Sequence, residues 1–185
     1  MLTNVRPRPR TEPEAATTIL GRVVLRDGSV LGVRRLTERD RAELRRFYLE
    51  LSPRSLFLRF MSPMPRLPES TVAYLCETGK LDREVLVATC DDEIVAEGRY
   101  HRVRGTNDAE VALVVADAWQ GLGLGPLLTE RLARIGRLRG VEAFSGSMLA
   151  GNTHARSLLG AQAPGATRRI RSGELEFRTP LPDNP

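Results

Sequence analysis

The sequence predicts one α/β (α+β) domain built on a mixed, mainly antiparallel sheet flanked by helices, and three observations predict it. Apolar runs at 85–89, 94–103 and 110–115 are joined by short turns at Asp91-Asp92 and 105–108, the pattern of an antiparallel meander. The third run leads through Gln120-Gly121-Leu122-Gly123-Leu124-Gly125 into an amphipathic helix. The strand after that helix, 141–148, lies parallel to the one before it, because a helical crossover returns the chain in the same direction.

Residues 1–20 are rich in Arg, Pro, Thr and Glu without periodicity and are expected to form a disordered tail. The domain is expected over 21–180, with a C-terminal tail at 181–185. Segments 22–26 and 30–35 flank Asp27-Gly28, a tight-turn signal, so a hairpin opens the fold. Thr37 with Asp40 marks a helix start, and Leu44, Phe47, Tyr48 and Leu51 recur at helical spacing, predicting a helix over 38–51. A second, short helix follows Ser52-Pro53 with Leu56, Leu58, Phe60 and Met61 as its apolar residues; Pro63, Pro65 and Pro68 then break the chain before a third piece at 69–77. After the glycine loop, Leu124, Leu127, Leu128, Leu132, Ile135 and Leu138 share one face of a helix ending at Gly140. Asn152 caps a further helix to about Leu159, and 166–171 with 174–178 close the chain as a hairpin.

Composition narrows the function. With 185 residues, 41% hydrophobic and 28% charged, the chain buries one core and is short for two typical domains. No apolar run approaches the roughly 20 residues that span a bilayer, and the start, with Arg6, Arg8 and Arg10, lacks the apolar middle of a secretory signal, so a cytoplasmic protein without a membrane partner is expected. Cys76 and Cys90 have no metal-ligand spacing, which supports neither zinc nor a disulfide scaffold; they are expected to be reduced, buried fillers. The net charge of +5 is almost wholly arginine, with Lys80 the only lysine, and acids are interleaved with it throughout; no nucleic-acid partner is expected.

The glycine loop carries the best functional signal. Glycines at alternate positions leave no side chains in the way of an oxyanion, and the free N–H groups and dipole of the helix start aim at it. A nucleotide-triphosphatase loop would end in Gly-Lys-Ser/Thr, whereas Pro126 follows Gly125 here. A dinucleotide loop needs Gly-x-Gly-x-x-Gly after the first strand of a parallel unit, and this spacing is Gly-x-Gly-x-Gly, deep in the chain. A glycine-rich helix start without a ligand is the plainest alternative.

Gln120-x-x-Gly123-x-Gly125, between a strand and a long helix, resembles the acyl-CoA-binding signature of the GCN5-related N-acetyltransferase (GNAT) superfamily, and the order of elements over 22–179 is similar to that fold. The run from Leu51 to Phe60, Leu-Ser-Pro-Arg-Ser-Leu-Phe-Leu-Arg-Phe, followed by Pro63 and Pro65, is similar to bacterial protein-lysine acetyltransferases that modify acyl-CoA synthetases. The resemblance implies a sheet splayed between its central parallel strands, acetyl-CoA as cofactor, and direct transfer of acetyl to an amine. A protein lysine, for instance on an acyl-CoA synthetase, is the implied acceptor; a small-molecule amine, or a non-catalytic acyl-CoA sensor, is the alternative. Oligomeric state is not implied.

The same resemblance implies the site residues. Gln120, Gly121, Leu122, Gly123, Leu124 and Gly125 would surround the CoA pyrophosphate, with backbone N–H groups of 122–125 as donors. The strand edge Leu113, Val114 and Val115 would pair with pantetheine, Asn152 in Asn-x-x-Ala-x-x-Leu would contact its arm, and Arg156 would take the 3′-phosphate. Asn152 also reads as a plain helix cap, and Arg156 as a solvated helix charge. Glu110, ten residues before Gln120, is the candidate general base that takes the proton an amine must lose before attacking a thioester; burial beside Val111 and Leu113 is expected to tune it, and a solvated strand-end carboxylate is the plain alternative. Glu97 is a second candidate carboxylate, His101 an alternate base, His154 an exposed helix residue and Trp119 a packing residue. Two departures stand out: Leu159 occupies the position where many members carry a tyrosine that protonates the leaving thiolate, and Pro126 removes one N–H from the cradle.

Overall fold

The computed structural model describes residues 19–64, 67–77 and 81–182. Most of the two expected tails, together with Pro65 and Lys80, lies outside these residues. Eight strands form one sheet in the order β1-β2-β3-β4-β5-β6-β8-β7. β1 (Ile19–Val24) and β2 (Val30–Arg35) make the opening hairpin, and β3 (Arg83–Cys90), β4 (Glu93–Arg102) and β5 (Asp108–Val115) make the meander. β6 (Ala143–Leu149) runs parallel to β5, and β8 (Glu174–Pro180) returns antiparallel between β6 and the edge strand β7 (Thr167–Arg171).

The helices follow the apolar spacing. A one-turn 3-10 segment, Glu38–Asp40, precedes α1 (Arg41–Glu50), so the first predicted helix is split at its start. The reason is local: Asp40 turns back to accept from the Thr37 N–H at 2.7 Å and from its hydroxyl at 2.9 Å, while the Asp40 N–H donates to the Thr37 carbonyl, a tight three-residue turn. α2 (Pro53–Phe60) starts with Ser52 as cap, its side chain accepting from the Ser55 N–H, and ends at Met61 in the left-handed region. α3 (Glu69–Cys76), α4 (Leu124–Leu138) and α5 (Thr153–Gln162) complete the set. No helix among the described residues is long and apolar enough to cross a membrane.

Strand alternation divides the core in two. Leu31, Val33, Leu86, Ala96, Tyr100 and Phe144 meet Leu124, Leu128 and Leu132 of α4 on one face. Val85, Val87 and Val114 meet Leu44, Phe47 and Tyr48 of α1 and Val72 and Leu75 of α3 on the other. α5 seals the far end through Leu159, with Ala163 just after the helix, against Met148 and Leu175. Leu181, which the sequence left in the tail, is buried against the α4 side. Cys76 is buried and Cys90 half-buried; both thiols are free, and burial pushes both up from the ordinary thiol value.

α4 sits close to β4 because Gly98 has no side chain. A Cβ there would stand 2.9 Å from Leu113 Cδ1 and 3.1 Å from Leu132 Cδ1. Gly98→Val is therefore expected to push α4 outward and to lower unfolding free energy by about 1–3 kcal/mol, read by denaturant titration.

Candidate active site

The sheet opens between its two parallel strands. β5 and β6 pair only at Asp108–Ala143, Ala109–Phe144 and Glu110–Ser145, whereas β5 stays paired with β4 as far as Val115 and β6 with β8 as far as Leu149. The Ala116 N–H donates to Val95 on β4, and Glu142 on the other side donates to the Asn107 carbonyl. Alternation along the strand therefore turns the main-chain N–H and C=O groups of Leu113 and Val115 into the gap, and those of Val114 toward β4. Of the three residues expected to pair with pantetheine, Leu113 and Val115 present their backbone to the gap, and Val114 buries its side chain in the α1–α3 core.

The glycine loop closes one end of this gap. Gly121 and Gly123 take φ of +78° and +98°, where side chains are disfavoured, and a Cβ on either would meet nothing within 4 Å, so the space above them is open. No N–H from 121 to 125 donates to a main-chain acceptor among the described residues, and Gly123 is the cap from which α4 starts. Leu113 of β5 and Leu158 of α5 converge on Gly125, at 3.4 and 3.5 Å from where its Cβ would be. Open space, free donors and a fifteen-residue helix pointing its positive end at them suit a diphosphate. Pro126, on the first turn, contributes no N–H.

What holds the loop in place was not legible in the sequence. Asp117 accepts from the Ser52 N–H at 3.0 Å, the Ser52 hydroxyl at 2.8 Å and the Ser55 hydroxyl at 2.8 Å, so the end of β5 is tied to the start of α2. Gln120 donates through Nε2 to Ser55 Oγ at 3.2 Å and to the Val115 carbonyl at 3.1 Å, which ties its side chain to α2 and the end of β5. The only sequence signal for Asp117 was its place three residues before Gln120. Burial works to raise the Asp117 pKa, yet the hydrogen bonds from Ser52 and Ser55 outweigh it and leave the carboxyl below its ordinary value.

The candidate acids and bases separate by burial. Glu110 is exposed, so the expected burial beside Val111 and Leu113 does not occur: alternation turns those two toward α4 and Glu110 to the opposite face. There it sits across from His101 on β4 and from Ser145 on β6, at the last pair before the strands part. Glu97 shares that face but is fully buried, bonded by Tyr48 Oη at 2.6 Å and Arg99 Nε at 2.6 Å, with Arg59 Nη2 3.9 Å away. Burial first, then the Glu97 charge, pushes the Tyr48 hydroxyl well above its usual range. Glu97 thus fixes α1 and α2 to the sheet, and both its oxygens are engaged there rather than open for the expected share in proton transfer.

The remaining candidates scatter. Asn152 caps α5, its Oδ1 accepting from the Ala155 N–H at 3.1 Å. Arg156 donates to the Ala150 carbonyl at 3.1 Å and lies on the side of α5 away from Leu158 and the glycine loop. Leu159 is buried against Met148 and Leu175, so no side-chain acid stands at that position. His154 is exposed, and Trp119 packs on the α4-side core. No group of three or more His, Cys, Asp or Glu that could hold a metal occurs among the described residues.

The mixed sheet is parted between parallel strands, with an open glycine loop at one end of the gap and an exposed carboxylate at the other. Residues 52–161 match the acetyltransferase (GNAT) family, and the chain belongs to that family. An acetyltransferase of Pseudomonas aeruginosa is 30% identical over 120 residues, 63% of this chain; the match spans 64% of that relative's own length. The GNAT domain of S. lividans PAT superposes with a TM-score of 0.80 at 32% identity, covering 87% of this chain and 96% of that one. A cAMP-binding acyltransferase from Mycobacterium smegmatis gives 0.63 at 24% identity and covers 90% of this chain but 48% of its own. The family uses acetyl-CoA, and yncA of Salmonella typhimurium, alike in fold with a TM-score of 0.62 at 18% identity, is known with that cofactor bound.

Asp117 generates a pH prediction. Its lowered pKa means the folded state gains stability once pH is above the unfolded carboxylate value of about 4, and loses it as pH falls through the lower folded value. Asp117→Ala is expected to destabilise the protein by about 1–2 kcal/mol at pH 7, with the difference from wild type closing below pH of about 4, in urea titrations across pH.

Proposed function

We propose that this chain is an acetyl-CoA-dependent N-acetyltransferase whose acceptor is a protein lysine. The observation that carries the reading is the parting of β5 from β6 directly between the glycine nest and Glu110. Backbone N–H groups of 122–125 hold the diphosphate, and the gap-facing backbone of Leu113, together with the Val115 N–H, takes the pantetheine arm by strand-like pairing. Bound acetyl-CoA supplies an acyl group on a thioester that an amine can attack. Glu110, exposed where the strands begin to part, accepts the proton that the incoming ammonium must lose, directly or through water. The Leu113 N–H, turned into the gap, is placed to donate to an acyl carbonyl there. With a buried Leu159, no side chain at that position protonates the leaving thiolate, which departs toward solvent.

Two features support a protein acceptor. Residues 51–60 resemble bacterial protein-lysine acetyltransferases, and their polar members Ser52 and Ser55 do structural work on the loop through Asp117. Glu110 is exposed, which suits a lysine presented on a protein surface better than an amine enclosed in a deep acidic cleft.

Glu110→Gln is expected to lower kcat by about 10²–10⁴-fold while leaving the KM for acetyl-CoA within about twofold; the assay is labelled-acetyl transfer to lysine-bearing protein, with acetylated sites mapped by mass spectrometry. Full activity in that variant would remove Glu110 as the base, and label appearing only on small amines would remove the protein acceptor. Gly123→Val, forcing a branched side chain at φ +98° into the nest, is expected to weaken CoA binding at least about tenfold by calorimetry.

A further inference from the structure

The side of α5 turned away from the glycine loop holds a second concavity of about 310 Å³, lined by Thr153, Arg156, Ser157 and Leu159 of α5, Arg168 of β7 and Leu175 of β8. Leu158 points the other way, to Gly125, and two residues along a helix is a turn of about 200°. Arg156 and the nest therefore lie on opposite sides of α5.

The arginines of β7 are not equivalent. Arg169 sits opposite Glu176 and Arg171 opposite Glu174, on the face away from α5, whereas Arg168 sits opposite Phe177. Strand alternation thus turns Arg168 to the α5 side, where it lines the same pocket as Arg156, and no acidic residue lines it among the described residues. Among the described residues their hydrogen bonds go to neutral carbonyls: Arg156 Nη1 to Ala150 at 3.1 Å, and Arg168 Nη2 to Ala163 at 3.5 Å. Two like charges facing one cavity repel each other, and an anion between them turns that repulsion into two charge-assisted contacts.

We propose that this pocket binds a phosphate monoester distinct from acetyl-CoA. The guanidinium groups of Arg156 and Arg168 and the hydroxyls of Thr153 and Ser157 take the phosphate oxygens, while Leu159 and Leu175 back the organic part. The volume is at the small end for a metabolite site, which fits a sugar phosphate. This assignment gives Arg156 a different anion from the 3′-phosphate that the family resemblance implies.

The test titrates ribose 5-phosphate, and inorganic phosphate in parallel, into the full chain saturated with CoA and again without CoA, so the outcome does not depend on the coenzyme reading. Wild type is expected to bind ribose 5-phosphate, with affinity at least tenfold lower in Arg168→Gln and in Ser157→Asp, and with CoA affinity unchanged in Arg168→Gln. Arg168 is exposed, so thermal unfolding of that variant is expected to match wild type. No heat of binding at millimolar ribose 5-phosphate, or equal binding in both variants, would overturn the proposal. So would a matching loss of CoA affinity in Arg168→Gln, which would make the pocket part of the coenzyme site, or inorganic phosphate binding as tightly as the sugar phosphate.

Discussion

The Asp117 carboxylate is the point on which the site depends. It gathers one backbone and two hydroxyl donors from the first turn of α2 just where β5 ends, and Gln120 adds a bond from the loop to the same Ser55 hydroxyl. Without that tie the glycines between Gly121 and Gly125 would have ample conformational freedom and little to select one arrangement, because glycine gives up more backbone entropy on ordering than any other residue. The α2 motif and the nest are thus one unit, although about sixty residues of helix, strand and turn separate them in sequence.

The second constraint is the short register between β5 and β6. Three paired positions hold the strands together at the Glu110 end, and beyond them each strand keeps its other neighbour. A strand with one side unpaired exposes N–H and C=O groups that call for a partner, so the gap presents backbone to any extended chain of amides that enters it. α4, and α5 through Leu158, flank the nest end, while α1–α3 pack on the opposite face, so the opening is bordered by different helices on its two sides.

Burial sorts the carboxylates on that opposite face. Glu97 and Glu110 stand on neighbouring strands, facing the same way, yet one is locked among Tyr48, Arg99 and Arg59 and the other is exposed. A charge fully removed from water is tolerated only with such partners, which commits it to structure. The exposed one remains available for proton transfer.

The sequence by itself determined the element order, the parallel return of β6 and the glycine loop before a helix, since these rest on local periodicity, turn chemistry and the absence of side chains. Motif spacing also singled out Asn152, which the structure shows as the cap of α5. It did not determine that Asp117 ties the loop to α2, that Glu97 is buried among Tyr48, Arg99 and Arg59, that Arg156 faces away from the loop, or that Glu110 is exposed. Each of these depends on which side of a strand or helix meets a residue distant in sequence, and only the packed sheet decides that. The burial of Leu181 follows the same rule: a single leucine between prolines carries no period, and the groove beside α4 that buries it exists only once the sheet is assembled.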